Sequence, residues 1–204
     1  MLSAHGALER LREGNRRFAS DDLTSEAAIN TSRRRQVATS QEPFAIILGC
    51  SDSRVPSEII FHQGLGDLFV IRVAGNIVAP SQIGSVEFAA DRFGTRLVVV
   101  LGHSTCGAIQ ATLEELARPS EARSRNLSSI VDRVRPCVEP LLSPDAEPLD
   151  PAELRRRAVR ANIRASVRDL RGGSDIVERL IRDDGLLVVG AEYSLETGLV
   201  EFLD

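Results

Sequence analysis

The chain has no lysine among its 204 residues, so all 25 of its basic side chains are arginines. The missing lysine excludes a Schiff-base lysine, a lysine-linked pyridoxal phosphate and the lysine of a phosphate-binding loop. The formal net charge of −4 argues against a general nucleic-acid binder. These three lysine-dependent mechanisms are therefore excluded. We also expect no nucleic-acid partner.

Long hydrophobic runs are also missing. No apolar stretch approaches the roughly 20 residues that span a bilayer, and no early segment has the pattern of a secretory signal. We therefore expect a cytoplasmic protein without a membrane partner. The three cysteines cannot all pair. In a reducing compartment they remain thiols, which suit metal binding better than a disulfide framework.

The hydrophobic pattern predicts an α/β fold with a central, mostly parallel β-sheet flanked by helices. With 43% apolar residues, the chain can form one full core, and we expect a single domain over 1–204. Apolar strands that alternate with helices are typical of a parallel sheet covered on both faces. The proline-rich segment 136–151 indicates a loop or a broken helix. Predicted strands are 44–49, 68–73, 97–102 and 186–191, and predicted helices are 4–18, 25–38, 81–93, 107–117 and 152–182.

Two cysteines and one histidine follow predicted strands. Cys50 ends one apolar run, and His103 and Cys106 follow another. Ligands collect beyond the carboxyl ends of the strands in open α/β sheets. Two thiolates and an imidazole suit zinc, with a fourth tetrahedral position left for water or substrate. Taken singly, Cys50 is more simply a small buried hydrophobe and His103 could equally be structural. We interpret Cys137, which has no partner at metal-ligand spacing, as a packing residue.

Asp52 and Arg54 lie two residues apart in the loop after Cys50. The simplest interpretation is a loop ion pair or a helix cap. The functional interpretation is that Arg54 keeps Asp52 ionised, so that Asp52 accepts a hydrogen bond from a zinc-bound hydroxide.

The segments Cys50-Ser-Asp52-Ser-Arg54 and His103-Ser-Thr-Cys106-Gly107 together resemble the paired zinc motifs of the β-class carbonic anhydrases, in particular their bacterial, plant-like subgroup. The resemblance extends through 68–76 to 190–198. It implies one Zn²⁺ per subunit on Cys50, His103 and Cys106, with Asp52 and Arg54 as the catalytic pair. It also implies hydration of carbon dioxide to bicarbonate and a proton. In part of the family, the aspartate at the position of Asp52 can become a fourth zinc ligand and close the site.

The same resemblance implies residues that line the substrate pocket and a homo-oligomer. Gln41 matches a glutamine that reaches the neighbouring subunit's site, while Phe69 and Phe88 match the apolar wall, although Phe88 replaces a frequent tyrosine. The expected assembly is a homodimer or a homotetramer. Each subunit then consists of a helical N-terminal arm (1–40) and an α/β core (41–204), and the arm packs around the neighbouring subunit.

Some bacterial members bind bicarbonate at an inhibitory site that uses tryptophan, arginine and tyrosine. This chain has Arg72 and Tyr193 at the matching places but no tryptophan. We therefore interpret Arg72 and Tyr193 as structural or interface residues.

Two other functions fit parts of the sequence. Relatives with the same ligands hydrolyse carbonyl sulfide or carbon disulfide. Only the shape of the pocket and access to it would distinguish such a hydrolase from a carbonic anhydrase. A nucleotide-binding or regulatory module with a structural zinc is the other alternative. Against it, Gly64-Leu-Gly66 lacks the third glycine of a dinucleotide-binding fingerprint.

Overall fold

The computed structural model describes residues 2–22, 30–118, 124–143 and 145–203. Within these ranges one sheet is formed by β1 (Ala45–Gly49), β2 (Leu68–Arg72), β3 (Leu97–His103), β4 (Leu187–Tyr193) and β5 (Val200–Leu203). The strand order is β2-β1-β3-β4-β5. The first four strands pair in parallel, and β5 runs antiparallel to β4. The predicted, mostly parallel sheet is confirmed, with the antiparallel β5 as an unpredicted edge.

The helices surround this sheet and mostly follow the predicted pattern. The predicted helix 152–182 is in fact two helices, because the chain breaks at Gly172-Gly173-Ser174. Of the predicted helix 25–38, the part before residue 30 lies outside the described residues. The helices are α1 (Ala4–Ala19), α2 (Thr31–Gln36), α3 (Ser57–Ile60), α4 (Pro80–Arg92), α5 (Gly107–Ala117), α6 (Arg125–Val138), α7 (Pro151–Arg171) and α8 (Asp175–Asp183), and short 3₁₀ turns cover Ala74–Asn76 and Glu139–Leu142.

Helix α6 corrects the expectation for the start of the proline-rich segment. Pro136 lies inside α6, which continues to Val138. The apolar side chains Val131, Val134 and Val138 are buried at helical spacing. Burial of this stripe outweighs the backbone hydrogen bond that proline removes.

The sheet has a hydrophobic core on each face. Successive residues of β1 point to opposite faces, so Ile46 and Leu48 join one core and Ala45 and Ile47 join the other. The first core is covered by α4, α5, α6, α7 and α8, whereas α1 contributes to the second. In the described ranges, no helix is both long and apolar enough to cross a membrane.

Helix α1 packs tightly on its own sheet. Its residue Leu11 is fully buried. Asn15 donates to the carbonyls of Ile60 and Gly198 at 3.0 and 2.9 Å. The absence of a side chain at Gly14 lets α1 approach the backbone of Phe61 closely, since a Cβ at Gly14 would lie 1.9 Å from the Phe61 carbonyl oxygen.

Gly14→Ala is expected to destabilise the protein by at least about 2 kcal/mol, because the new methyl group overlaps the Phe61 backbone. Gly6→Ala is the matched control in the same helix. Its Cβ would approach only the side chains of Ser3 and Leu2, the nearest atom at 3.3 Å. The higher helix propensity of alanine, worth up to about 1 kcal/mol, makes that control neutral or stabilising. Urea unfolding of both variants measures the difference, and equal midpoints would contradict the packing described.

Candidate metal centre

Strand pairing brings the two cysteines and the histidine together. Cys50 follows β1 and His103 ends β3, and these neighbouring parallel strands pair with Gly49 opposite Leu101. Thr105 adopts a left-handed conformation (φ 53°), which turns the chain so that Cys106 immediately precedes α5. The ligand atoms of Cys50, His103 and Cys106 all lie within 4.8 Å of one another, and all three residues are buried.

The cluster has the donor geometry of a metal site. His103 donates from Nδ1 to the carbonyl oxygen of Ser104 at 2.9 Å, which leaves the lone pair on Nε2. That Nε2 atom is buried and has no hydrogen-bond partner among the described residues. The sulfurs of Cys50 and Cys106 are 3.9 Å apart. A buried imidazole nitrogen without a partner beside two thiols fits a soft divalent metal, for which zinc is typical.

The charge state of the two thiols supports this fit. The hydrogen bond from Cys106, together with the one from the Gly75 amide, lowers the pKa of Cys50 despite its burial. The same hydrogen bond, together with burial and the negative charge of Cys50, raises the pKa of Cys106. The pair thus shares one proton when no cation is present. A divalent cation would replace that proton and allow both sulfurs to ionise.

Asp52 and Arg54 form an ion pair beside the cluster. The Arg54 guanidinium donates from Nε and Nη2 to the two oxygens of Asp52 at 2.9 and 2.7 Å. These hydrogen bonds hold the pKa of the Asp52 carboxyl well below its usual range. The carboxylate oxygen Oδ2 lies 3.9 Å from Nε2 of His103, so an ionised acceptor borders the metal-binding atoms.

Arg72 fixes the loop that carries this pair. It donates to the carbonyl oxygens of Cys50 and Asp52 at 3.1 and 2.7 Å. A second support is the Gly75 amide, which donates to the sulfur of Cys50 at 3.3 Å. Sequence reasoning did not assign the Gly75 contact. The Ala-Gly-Asn turn after β2 was the available signal, because a glycine there permits a left-handed backbone.

The three predicted pocket residues lie apart from the cluster within one chain. Phe69 pairs with Ile46, four residues before Cys50, which is about 13 Å along the strand. Phe88 is exposed and packs its ring 6.1 Å from that of Phe69. Gln41 precedes β1, whereas Cys50 follows it, so these two residues lie at opposite ends of the strand.

The sequence profile of the carbonic anhydrase family matches residues 45–200. This chain belongs to the carbonic anhydrase family. Among curated members, "Carbonic anhydrase 2" of Mycobacterium tuberculosis is 34% identical over 192 residues, which is 94% of this chain and 89% of that protein. The carbonic anhydrase of Mycolicibacterium smegmatis is 35% identical over 196 residues, covering 96% of this chain and 91% of that protein.

Solved structures assign the chain to the β class of this family. The β-carbonic anhydrase CafA of Aspergillus fumigatus has a TM-score of 0.75 and 25% identity, covering 97% of this chain and 89% of that one. The Coccomyxa β-carbonic anhydrase, solved with acetazolamide, has a TM-score of 0.74 and 29% identity, covering 96% of this chain and 86% of that one. The predicted family and fold are confirmed. The chain is an enzyme whose reaction is the reversible hydration of carbon dioxide.

Cys106→Ala is expected to abolish tight binding of one metal ion per chain, because an imidazole and a single thiolate hold a divalent ion weakly. Cys137→Ala is the control, since that thiol donates to the carbonyl oxygen of Val134 and is not part of the cluster. Metal content after gel filtration, measured by elemental analysis, checks both. Retention of a full equivalent by Cys106→Ala would contradict the assigned centre.

Proposed function

We propose that the metal is zinc, held by Cys50, His103 and Cys106, and that Asp52 and Arg54 are the catalytic pair. The observation that carries the proposal is the buried Nε2 of His103, left without a partner in the described structure and placed within 4.8 Å of two thiol sulfurs. Zinc, when bound, lowers the pKa of a coordinated water and so supplies a hydroxide nucleophile near neutral pH.

The protein residues then orient the reaction. Asp52 accepts a hydrogen bond from the nucleophile and directs its lone pair towards the carbon of carbon dioxide. Arg54 keeps that carboxylate ionised by donating two hydrogen bonds to it. Because the pKa of Asp52 is so low, this carboxylate orients the nucleophile but does not retain a proton. The proton released with each bicarbonate therefore passes to solvent or buffer.

Asp52 could also reach the metal itself. In the described structure its two oxygens accept from Arg54. We propose that this pairing defines the open state, in which the fourth position is free for water. Rotation of Asp52 away from Arg54 would give the closed state. Zinc spectroscopy across pH would detect the change, and water as fourth ligand at every pH would exclude it.

Hydration followed by stopped flow is expected to accelerate as pH rises from about 6.5 to about 9. A carbonic anhydrase with three histidine ligands is the standard reference, with a bound-water pKa near 7. Two thiolates neutralise more of the zinc charge, so the ionisation that generates the nucleophile moves to higher pH. Asp52 is ionised throughout this range and contributes nothing to the rise. A flat profile would refute the mechanism.

Asp52→Asn provides the matched comparison in the same assay. The amide keeps the size of the side chain but loses the ionised acceptor, so the rate should fall by about 10² or more while zinc content is unchanged. Acetazolamide, the ligand in the Coccomyxa structure, serves as a binding probe for both proteins. In the wild-type protein, full zinc occupancy without hydration would redirect the assignment to sulfur analogues of carbon dioxide.

The proposed assembly is a homo-oligomer in which each site receives residues from a neighbour. Two β-carbonic anhydrases of the fungus Sordaria macrospora are described as tetrameric, and one solved chain from that pair matches this chain with 25% identity and a TM-score of 0.75. Helix α2 has no buried residue, and Phe88 remains 54% exposed, so both can contact another subunit. We propose that Gln41, Phe69 and Phe88 line the neighbour's substrate pocket, because they lie far from their own cluster. A cytoplasmic location stays a prediction.

Gln41→Ala is expected to lower the hydration rate at least about tenfold without changing zinc content, because the lost amide serves a site on another subunit. Sedimentation velocity should show a dimer or larger for this variant and for the wild type. Glu42→Ala, its exposed neighbour, is the control and should retain full activity. A fully active monomer would contradict the shared site.

A further inference from the structure

The turn Ala74–Asn76 has an unusual backbone for its position beside the cluster. Gly75 (φ 72°) and Asn76 (φ 44°) are consecutive residues in the left-handed region. Glycine adopts this conformation freely, but asparagine does so at an energetic cost. Such a backbone persists only when its surroundings hold it in place.

Two polar side chains from helix α7 hold this turn. Asn162 donates from Nδ2 to the carbonyl oxygen of Gly75 at 2.8 Å, and Ser166 donates to the carbonyl oxygen of Asn76 at 3.0 Å. Asn162 and Ser166 are four residues apart on one face of α7 and are only 2% and 3% exposed. Burial of a polar side chain is unfavourable unless the side chain is hydrogen-bonded. Asn162 and Ser166 meet this condition on the buried face of α7 through their bonds to the turn.

The turn contacts the sulfur of Cys50 and the first turn of the helix that follows Cys106. The amide of Gly75 donates to the sulfur of Cys50 at 3.3 Å. On its other side, a Cβ at Gly75 would lie 3.1 Å from the Cβ of Ala108, two residues after Cys106 in the first turn of α5. The turn therefore fills the space between Cys50 and the start of the helix that follows Cys106. A displacement of Gly75 would move the hydrogen bond that orients the Cys50 sulfur.

We propose that Asn162 and Ser166 are positioning residues of the metal centre, acting through the 74–76 turn on the sulfur of Cys50. This inference rests on the proposed metal site. A hydrogen bond to a thiolate ligand withdraws charge from the sulfur and fixes its direction. Groups that orient a ligand in this way usually contribute 10- to 100-fold to metal affinity, although they never touch the metal.

The test compares Asn162→Ala and Ser166→Ala with the wild type. Zinc affinity is measured by competition with a chromophoric chelator, and we expect a dissociation constant at least about tenfold higher for each variant. Cobalt(II) replaces zinc for the second measurement. In each variant the displaced turn weakens the hydrogen bond from the Gly75 amide to the Cys50 sulfur. The energy of the sulfur lone pair then rises, so the sulfur-to-cobalt charge-transfer band should move to longer wavelength.

Leu170→Ala controls for general loss of stability in α7. Leu170 is fully buried in the same helix, one turn beyond Ser166, and its apolar side chain cannot hydrogen-bond to the 74–76 turn. The Leu170→Ala variant should have a lower melting temperature than the wild type but an unshifted cobalt band. Ser166→Ala removes a single oxygen atom and keeps the test decisive if Asn162→Ala does not fold.

The outcomes are distinct. If both α7 variants bind zinc and cobalt with the affinity and spectrum of the wild type, this inference is overturned and the proposed function stands. If Leu170→Ala shifts the band as far as Ser166→Ala does, the effect is general and the positioning role is also overturned. If the wild type itself binds no zinc, the proposed function fails, and this inference fails with it.

Discussion

The parallel pairing of β1 with β3 is the constraint on which the site depends. It sets Gly49 opposite Leu101, so Cys50 and His103 leave the sheet at the same edge. A shift of one residue in this register would turn every side chain of β1 to the other face. The two separate cores prevent such a shift, because Ile46 and Ile47 are both fully buried on opposite faces. Packing in the sheet therefore fixes the position of the metal ligands.

Charge balance is the second organising factor. Two ionised thiols and a divalent cation are together neutral, and so are Asp52 and Arg54 as a pair. With a divalent cation bound, these four charged protein groups and the cation would carry no net charge until the nucleophile ionises. Burial of the two thiolates is tolerable only when each has a partner, whereas Arg54 is exposed to solvent.

Sequence reasoning predicted most of the sheet and the ligand cluster for a physical reason. Buried parallel strands are continuous apolar runs, and Cys50, His103 and Cys106 follow two of them directly. Strand β5 was missed because Val200–Leu203 is short and lies at the sheet edge, where burial is incomplete. Helix α6 was missed because no element was assigned to 125–135, and Pro136 indicated a loop or a broken helix for its last residues.

The supports of the site were harder to predict than its ligands. Asn162 lies in a helix with many arginines, and its contact with Gly75 joins residues 87 positions apart. Nothing local in the sequence marks this contact, since it depends on how α7 packs over the sheet. Arg72 was interpreted as a structural or interface residue, and its hydrogen bonds to Cys50 and Asp52 give that interpretation a concrete basis. Local patterns thus identify the reactive groups, whereas tertiary packing identifies their supports.

Asn162 and Ser166 of α7, which hold the 74–76 turn, are synthesised after all three ligand residues. The chain emerges from the ribosome amino end first, so Cys50, His103 and Cys106 are all exposed to the cell before residue 166 has been made. Until then, the 74–76 turn has no Asn162 or Ser166 to hold it, and the nascent ligands form an unfinished binding site. If these two side chains position the centre as proposed, a chain that ends before residue 162 would carry all three ligand residues but bind the metal more weakly than the complete chain.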